Sequence, residues 1–328
     1  MPLKKVLICL TLGLVPVASL ADECEFIRQA LASLPPAGGQ VLIPTGVYTC
    51  DSPIILDHSH TSLKGVGSVR LKLADRANAP LIIMGQVQTP PTPTTDIEVA
   101  NLFLDGNKDQ QQFECWSGDC TNDGKTTIRN NGISVRGLSD GHVADVSIDG
   151  ARSGGIVSEH SCYRLKVERL TSMHNYFDGL AGYETYQSLY SDLLLAENQA
   201  AGISLDGQFN SNKFDGVQIL KNKNVGIFVR ESNKNLFVNL NIEDSGSHGI
   251  FLAQSEAPNS CPENNIFQNL EVDRSRGAGF RLNDVCRGNR ISGPAKFNAN
   301  QNGCLSLKKG ANLQIDQPDQ IVCTDSLH

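Results

Sequence analysis

The sequence predicts an all-β chain wound as a right-handed parallel β-helix, a solenoid whose coils are 23 or 24 residues long. Three observations predict it. First, a glycine followed by an apolar residue recurs at Gly132-Ile133, Gly155-Ile156, Gly179-Leu180, Gly202-Ile203, Gly226-Ile227, Gly249-Ile250 and Gly279-Phe280, with Gly303-Cys304 as a weaker last copy. The steps between these glycines are 23, 24, 23, 24, 23, 30 and 24 residues. Second, apolar and polar residues alternate after each glycine, as over 132–136, 202–206 and 226–230, which is the period of a strand. Third, another alternating run follows in each repeat, at 143–148, 165–170, 189–194, 214–219, 236–242 and 266–272, separated by Asn, Asp, Ser and Gly with no helical period. Stacked coils would pair each strand with its copies about 4.8 Å above and below, and an aliphatic column would fill the axis.

Taken from its start, the chain carries Lys4 and Lys5, an apolar run over 6–17 and small residues at Ser19 and Ala21. This is the pattern of a secretory signal peptide over residues 1–21. The mature chain is then expected to begin at Asp22, in the periplasm or outside the cell. Residues 22–34 read as an amphipathic capping helix, with Asp22 as cap, Glu25 three residues on, and Phe26, Ile27, Ala30, Leu31 and Leu34 on one face. Pro35 and Pro36 stop it, and a solenoid needs such a cap over its exposed end. Proline-rich residues 85–95 and polar residues 106–127 are expected to protrude as loops, the second holding Trp116. Asn175, Asn198 and Asn222 share one column four residues before the repeat glycine, the place for a side-chain amide ladder. The whole of 22–328 reads as one β-helix domain, closed by a cap over 304–328.

Ten cysteines less Cys9 of the leader leave nine, so one should be unpaired. Correcting for the long repeat puts Cys261 and Cys286 in one column on adjacent coils, at the separation a disulfide needs. Cys24 with Cys50 would fasten the cap, Cys115 with Cys120 the loop, and Cys304 with Cys323 the far end. Cys162 is left over and reads as a buried thiol.

The run 38–48, Gly-Gly-Gln-Val-Leu-Ile-Pro-Thr-Gly-Val-Tyr, followed by Leu63-Lys64-Gly65-Val66-Gly67, resembles the opening of pectate-lyase-like β-helix proteins. Residues 101–108, Asn-Leu-Phe-Leu-Asp-Gly-Asn-Lys, are similar to the corresponding part of mannuronan C5-epimerase modules. These resemblances imply the fold, and a lyase, epimerase or hydrolase of acidic polysaccharides. Where those epimerases carry a tyrosine, aspartate and histidine motif, this chain reads Tyr176-Phe177-Asp178-Gly179-Leu180-Ala181-Gly182-Tyr183, without the proline and histidine.

In a solenoid, equivalent positions of successive coils form an outward stripe. The fourth residue after each glycine gives Arg136, Glu159, Tyr183, Asp206 and Arg230, with His160 and Glu184 beside it, a line about 19 Å long. Proton abstraction next to a uronate carboxylate, followed by β-elimination, needs a cation, a base and an acid. Arg136 or Arg230 could supply the first, His160 or Tyr183 the second, and Tyr183 the third. Reprotonation from the opposite face would make the same site a C5 epimerase. Trp116, Lys108 and Asp178 are read as substrate-binding. Alternatively, Glu159 and Asp206, two coils and about 9.6 Å apart along the backbone, suit an inverting glycoside hydrolase. A third reading is a non-catalytic polysaccharide-binding or surface solenoid, in which Arg136 with Glu159 and Asp206 with Arg230 form only a salt ladder.

Ser247-His248-Gly249 superficially resembles the histidine motif of polygalacturonases, but paired aspartates are missing upstream, and His248 reads as a turn residue. Asp105, Asp109, Asp119 and Asp123 could gather Ca²⁺ near the second loop, without the spacing of an established motif. A formal net charge of −7 argues against a nucleic-acid partner and leaves room for a local cationic groove. No stretch after the leader is apolar for long enough to span a membrane. The expected partner is an anionic polysaccharide.

Overall fold

The computed structural model describes residues 22–116, 120, 127–257 and 260–324. The signal peptide read over 1–21 lies outside them, as do Asp119 and Asp123. The fold is the expected all-β parallel solenoid, and every named strand pair in it is parallel. The longest sheet runs through eleven successive strands, from Gly39–Ile43 to Leu313–Ile315, one per coil. A second sheet stacks the strands that follow the repeat glycines, including Ile133–Arg136, Ile156–Glu159, Leu180–Gly182, Ile203–Leu205 and Ile227–Val229. A short third sheet turns the corner beyond it, with Leu138–Ser139, Cys162–Tyr163 and Thr185–Tyr186 as neighbours.

The packing explains why glycine marks the repeat. A Cβ on Gly155 would stand 1.9 Å from Ser172 Oγ and 2.5 Å from the Gly179 carbonyl of the next coil. Only glycine lets the chain pass that corner and start a strand. Along the long sheet, register places Val146, Leu170, Leu193, Val217, Leu240 and Leu270 in one buried column. Beside it Tyr190, Phe214, Phe237 and Phe267 stack with centroids 4.6, 5.0 and 4.7 Å apart. This is the strand spacing, so one flat ring in each of these four coils stacks on the next along the axis.

The amide ladder forms: Asn175 Nδ2 donates to Asn198 Oδ1 at 2.8 Å, and Asn198 Nδ2 to Asn222 Oδ1 at 2.9 Å. A second ladder, not anticipated from sequence, joins Asn212, Asn235, Asn265 and Asn289 at 3.2, 3.1 and 3.1 Å. It turns the opposite corner, just ahead of the long-sheet strands, where each amide also accepts a backbone N–H from the coil before.

The capping helix spans Glu25–Ala32, shorter than the expected 22–34, and Asp22 is not its cap. Its carboxylate instead accepts the Cys24 and Asp51 N–H groups and meets Arg28, tying the helix to the first coil. Phe26 is also displaced from its expected place on the buried face: it is 41% exposed and lies over Tyr48, while Ile27 and Leu31 enter the core. Four cysteine pairs are bridged, Cys24–Cys50, Cys115–Cys120, Cys261–Cys286 and Cys304–Cys323. Cys162 is free and wholly buried.

Candidate functional site

A cavity of about 480 Å³ opens on the second sheet, bounded by two adjacent coils and by Cys115, Cys120 and Thr127. Ser153, Val157, Glu159 and His160 line it from one coil, and Phe177, Asp178, Ala181, Tyr183 and Glu184 from the next. Arg129 lies in its wall at the point where the loop re-enters the coils. The strand alternation brings these groups together. Val157 and Ala181 are paired in register, and one step on the Tyr183 N–H donates to the Ser158 carbonyl at 2.8 Å, which seats Tyr183 beside Glu159.

Two of these groups have displaced acidities. Burial pushes the Asp178 carboxyl up to about 6, against an N–H bond from Ala201 at 2.8 Å and the field of Arg129, both of which favour the anion. Asp178 therefore changes charge just below neutral pH. The Tyr183 phenol is pushed up to about 12, first by desolvation and then by the carboxylates of Asp178, Asp206 and Glu159. At neutral pH it keeps its proton, which suits an acid and not a base.

The remaining groups divide sharply. Arg136 is only 1% exposed in its side chain and is covered by the 86–89 segment, donating from Nε to the Gln86 carbonyl at 3.1 Å and from Nη2 to Thr89 Oγ1 at 2.8 Å. Its Nη1 holds Glu159 Oε1 at 2.6 Å. Arg136, read from the sequence as a cation for a substrate carboxylate, therefore has its guanidinium buried behind Glu159 with its donors on that carboxylate and on the 86–89 segment. Asp206 and Arg230 form their own pair outside the cavity lining, Arg230 Nε donating to Asp206 Oδ2 at 2.9 Å. The second Asp206 oxygen accepts the Gly207 N–H at 2.8 Å. Asp206 is thus ion-paired to Arg230 and is not among the residues that line the cavity with Glu159.

His160 sits at the rim with Nε2 3.8 Å from Glu159 Oε1. Lys108 is not in the lining: its ammonium donates to the His174 carbonyl. Trp116 packs partly buried against the core, and its loop neighbours Cys115 and Cys120 form the cavity wall. His248 is buried, accepts the Ala278 N–H on Nδ1 at 2.9 Å and is held below its ordinary pKa chiefly by desolvation, consistent with a turn residue. Cys162 lies behind Glu159, its Sγ 3.3 Å from the Glu159 carbonyl, and burial pushes its thiol up to about 12. Asp105 meets Arg70 and the Asn107 N–H, and among the described residues no three His, Cys, Asp or Glu side chains converge on a metal position.

Arg129 is the residue that sequence reasoning missed. Its guanidinium carbon is 5.4 Å from the Phe177 ring centroid, and Nη1 is 3.8 Å from Glu114 Oε2. It lies outside the repeat, so no column betrays it. The available signal was a lone arginine between Gly106 and Gly132, at the exit of a loop leading into the first repeat glycine.

Residues 131–318 match the family described as the right handed beta helix region, and the chain belongs to that family. No curated protein sequence matches it. Among solved structures, the A-module of Azotobacter vinelandii mannuronan C-5 epimerase AlgE6 is similar at a TM-score of 0.61 and 15% identity, covering 94% of this chain and 96% of that one. ORF18 of Geobacillus virus E2 is similar at 0.63 and 13%, covering 88% of this chain, which spans only 55% of that protein. The catalytic domain of a GH87 α-1,3-glucanase, solved with nigerose, is similar at 0.60 and 12%, covering 94% of this chain and 67% of that one. At these identities the likeness is one of fold. Among the described residues no helix is long and apolar enough to cross a membrane.

Proposed function

We propose that this chain is a secreted or periplasmic enzyme that acts on an acidic, uronate-containing polysaccharide by proton abstraction beside the carboxylate and β-elimination. The observation that carries the reading is the meeting, in one cavity, of a carboxyl that titrates near pH 6, a phenol that stays protonated and an arginine. The four disulfides support an oxidising compartment. The epimerase and glucanase likenesses support a polysaccharide as the substrate class.

In the proposed reaction the uronate carboxylate lies against Arg129 and Asp178. Its negative charge raises Asp178 further, so Asp178 takes a proton on binding and donates a hydrogen bond to it. The two together neutralise the carboxylate and acidify the adjacent C–H. His160 takes that proton, the C–H electron pair becomes the new C=C bond, and the C–O bond to the next sugar breaks with its pair on oxygen. Tyr183 gives its proton to that oxygen. Both residues are then reset through solvent. Delivery of the Tyr183 proton to carbon on the opposite face would give the C5 epimer instead.

A hydrolase is the second reading, favoured by the placing of Asp178, protonated near pH 6, and Glu159, ion-paired to Arg136, in the same cavity. That arrangement would provide a general acid and a general base. Calorimetry of oligouronate binding to Tyr183→Phe in buffers of different ionisation heat tests the preferred reading. It predicts net uptake approaching one proton at pH 7, abolished in Tyr183→Phe/Asp178→Asn. Binding without proton uptake would remove the neutralising role of Asp178.

A further inference from the structure

Next to the cavity, one coil corner carries a run of alternating cations and rings. Arg129 lies over Phe177, Phe177 meets Tyr176 edge-on with centroids 5.3 Å apart, and the Arg152 guanidinium lies 4.3 Å from the Tyr176 centroid. Backbone bonds fix the run: the Tyr176 and Phe177 N–H groups donate to the Ala151 and Ser153 carbonyls of the preceding coil, each at 3.0 Å. Tyr176 is 39% exposed, which leaves its ring open to stacking and its hydroxyl to hydrogen bonding. Arg152 has no carboxylate partner among the described residues, and its Nε is buried without a hydrogen bond. In a protein of net charge −7, with most of its neighbouring arginines paired to carboxylates, a cation left facing an open ring is available to an external anion.

We infer that Arg152 and Tyr176 form a second binding subsite, outside the reacting cavity, that holds the carboxylate of a neighbouring uronate while the sugar lies on the exposed tyrosine ring. The inference rests on the acidic-polysaccharide reading above and extends it. The substrate would cross the corner at Phe177, with one carboxylate at Arg129 and a later one at Arg152. Short oligomers would fill the cavity alone, and longer ones would reach the corner.

The test is equilibrium binding of a length series of oligouronates, and of the same oligomers with their carboxyls reduced to alcohols, to Tyr183→Phe protein with and without Arg152→Gln. Lys223→Gln is the control, since Lys223 continues the same corner three coils beyond Arg152, about 14 Å away. The expected result is an affinity about fivefold lower in Arg152→Gln for long oligouronates, on the scale of one partly screened ion pair. The shortest binding oligomer and the reduced oligomers should be unaffected, and Lys223→Gln should change nothing. An equal loss at every length, an equal loss in Lys223→Gln, or no loss in Arg152→Gln would overturn the subsite and leave the acidic-polysaccharide reading standing. Absence of oligouronate binding to the Tyr183→Phe parent would overturn both.

Discussion

Replacing Asp178 with asparagine should stabilise the protein at neutral pH. The partly buried, largely desolvated carboxyl is raised from its ordinary 3.8 to about 6, so between those pH values the folded chain holds a proton that the unfolded chain has released. Stability contributed by this group is therefore present below pH 4 and lost as pH rises to about 6. At 1.36 kcal/mol per pH unit the loss is at most about 3 kcal/mol, and about 1–3 once the part of the carboxyl open to the cavity is discounted. Asparagine carries no charge to desolvate, and its carbonyl can still accept the Ala201 N–H. Urea melts of both proteins from pH 4 to 8 should show no difference at the acid end. A gap in favour of the variant should open through pH 5 and level off above pH 7. A constant gap across the range, or a variant less stable at pH 7.5, would refute the assignment of Asp178 as a desolvated, reluctantly ionised carboxyl.

Other outcomes follow from the same geometry. Tyr183→Phe should lower turnover on a uronate polymer by about 10²–10⁴-fold, the range for loss of a general acid, with circular dichroism and melting midpoint unchanged. Arg136→Ala should cost about 3–5 kcal/mol in a denaturant melt, because it leaves Glu159 and the 86–89 carbonyls without their buried partner. Arg230→Ala, removing a cation 42% exposed, should cost under about 1 kcal/mol. Cys162 should resist an alkylating reagent until the chain unfolds, and Cys162→Ala should keep its turnover, since the thiol is wholly buried and raised to about 12.

What was legible in the sequence is what repeats. Gly155 and its copies mark the coil because the next coil's carbonyl leaves no room for a Cβ, so a steric rule of the fold was written as a period. The Asn175 ladder and the column from Arg136 to Arg230 were readable for the same reason, since equal spacing becomes equal position in a solenoid. Position did not give environment. Arg136 and Arg230 occupy equivalent places, yet one is sealed under the 86–89 segment and the other stands at the surface. That difference comes from a loop outside the period. The cap failed similarly, because the Asp22 carboxylate is occupied by the Arg28 side chain and by the N–H groups of Cys24 and of Asp51, which lies 29 residues away, and not by the first-turn N–H groups of the helix. Arg129 was missed because it lies outside the repeat columns, and the raised carboxyl of Asp178 was not visible because desolvation depends on surroundings that its place in the repeat does not specify.

The account is tested most directly by incubating the protein with alginate, pectate and other uronate polymers, following ultraviolet absorbance of unsaturated ends and new reducing ends together. It predicts that both rise in step on at least one acidic polymer, and that both vanish in Tyr183→Phe. Reducing ends without unsaturated ends would contradict it in favour of hydrolysis by Asp178 and Glu159. Silence in both, with the proton NMR spectrum of the recovered polymer unchanged, would contradict any catalytic reading.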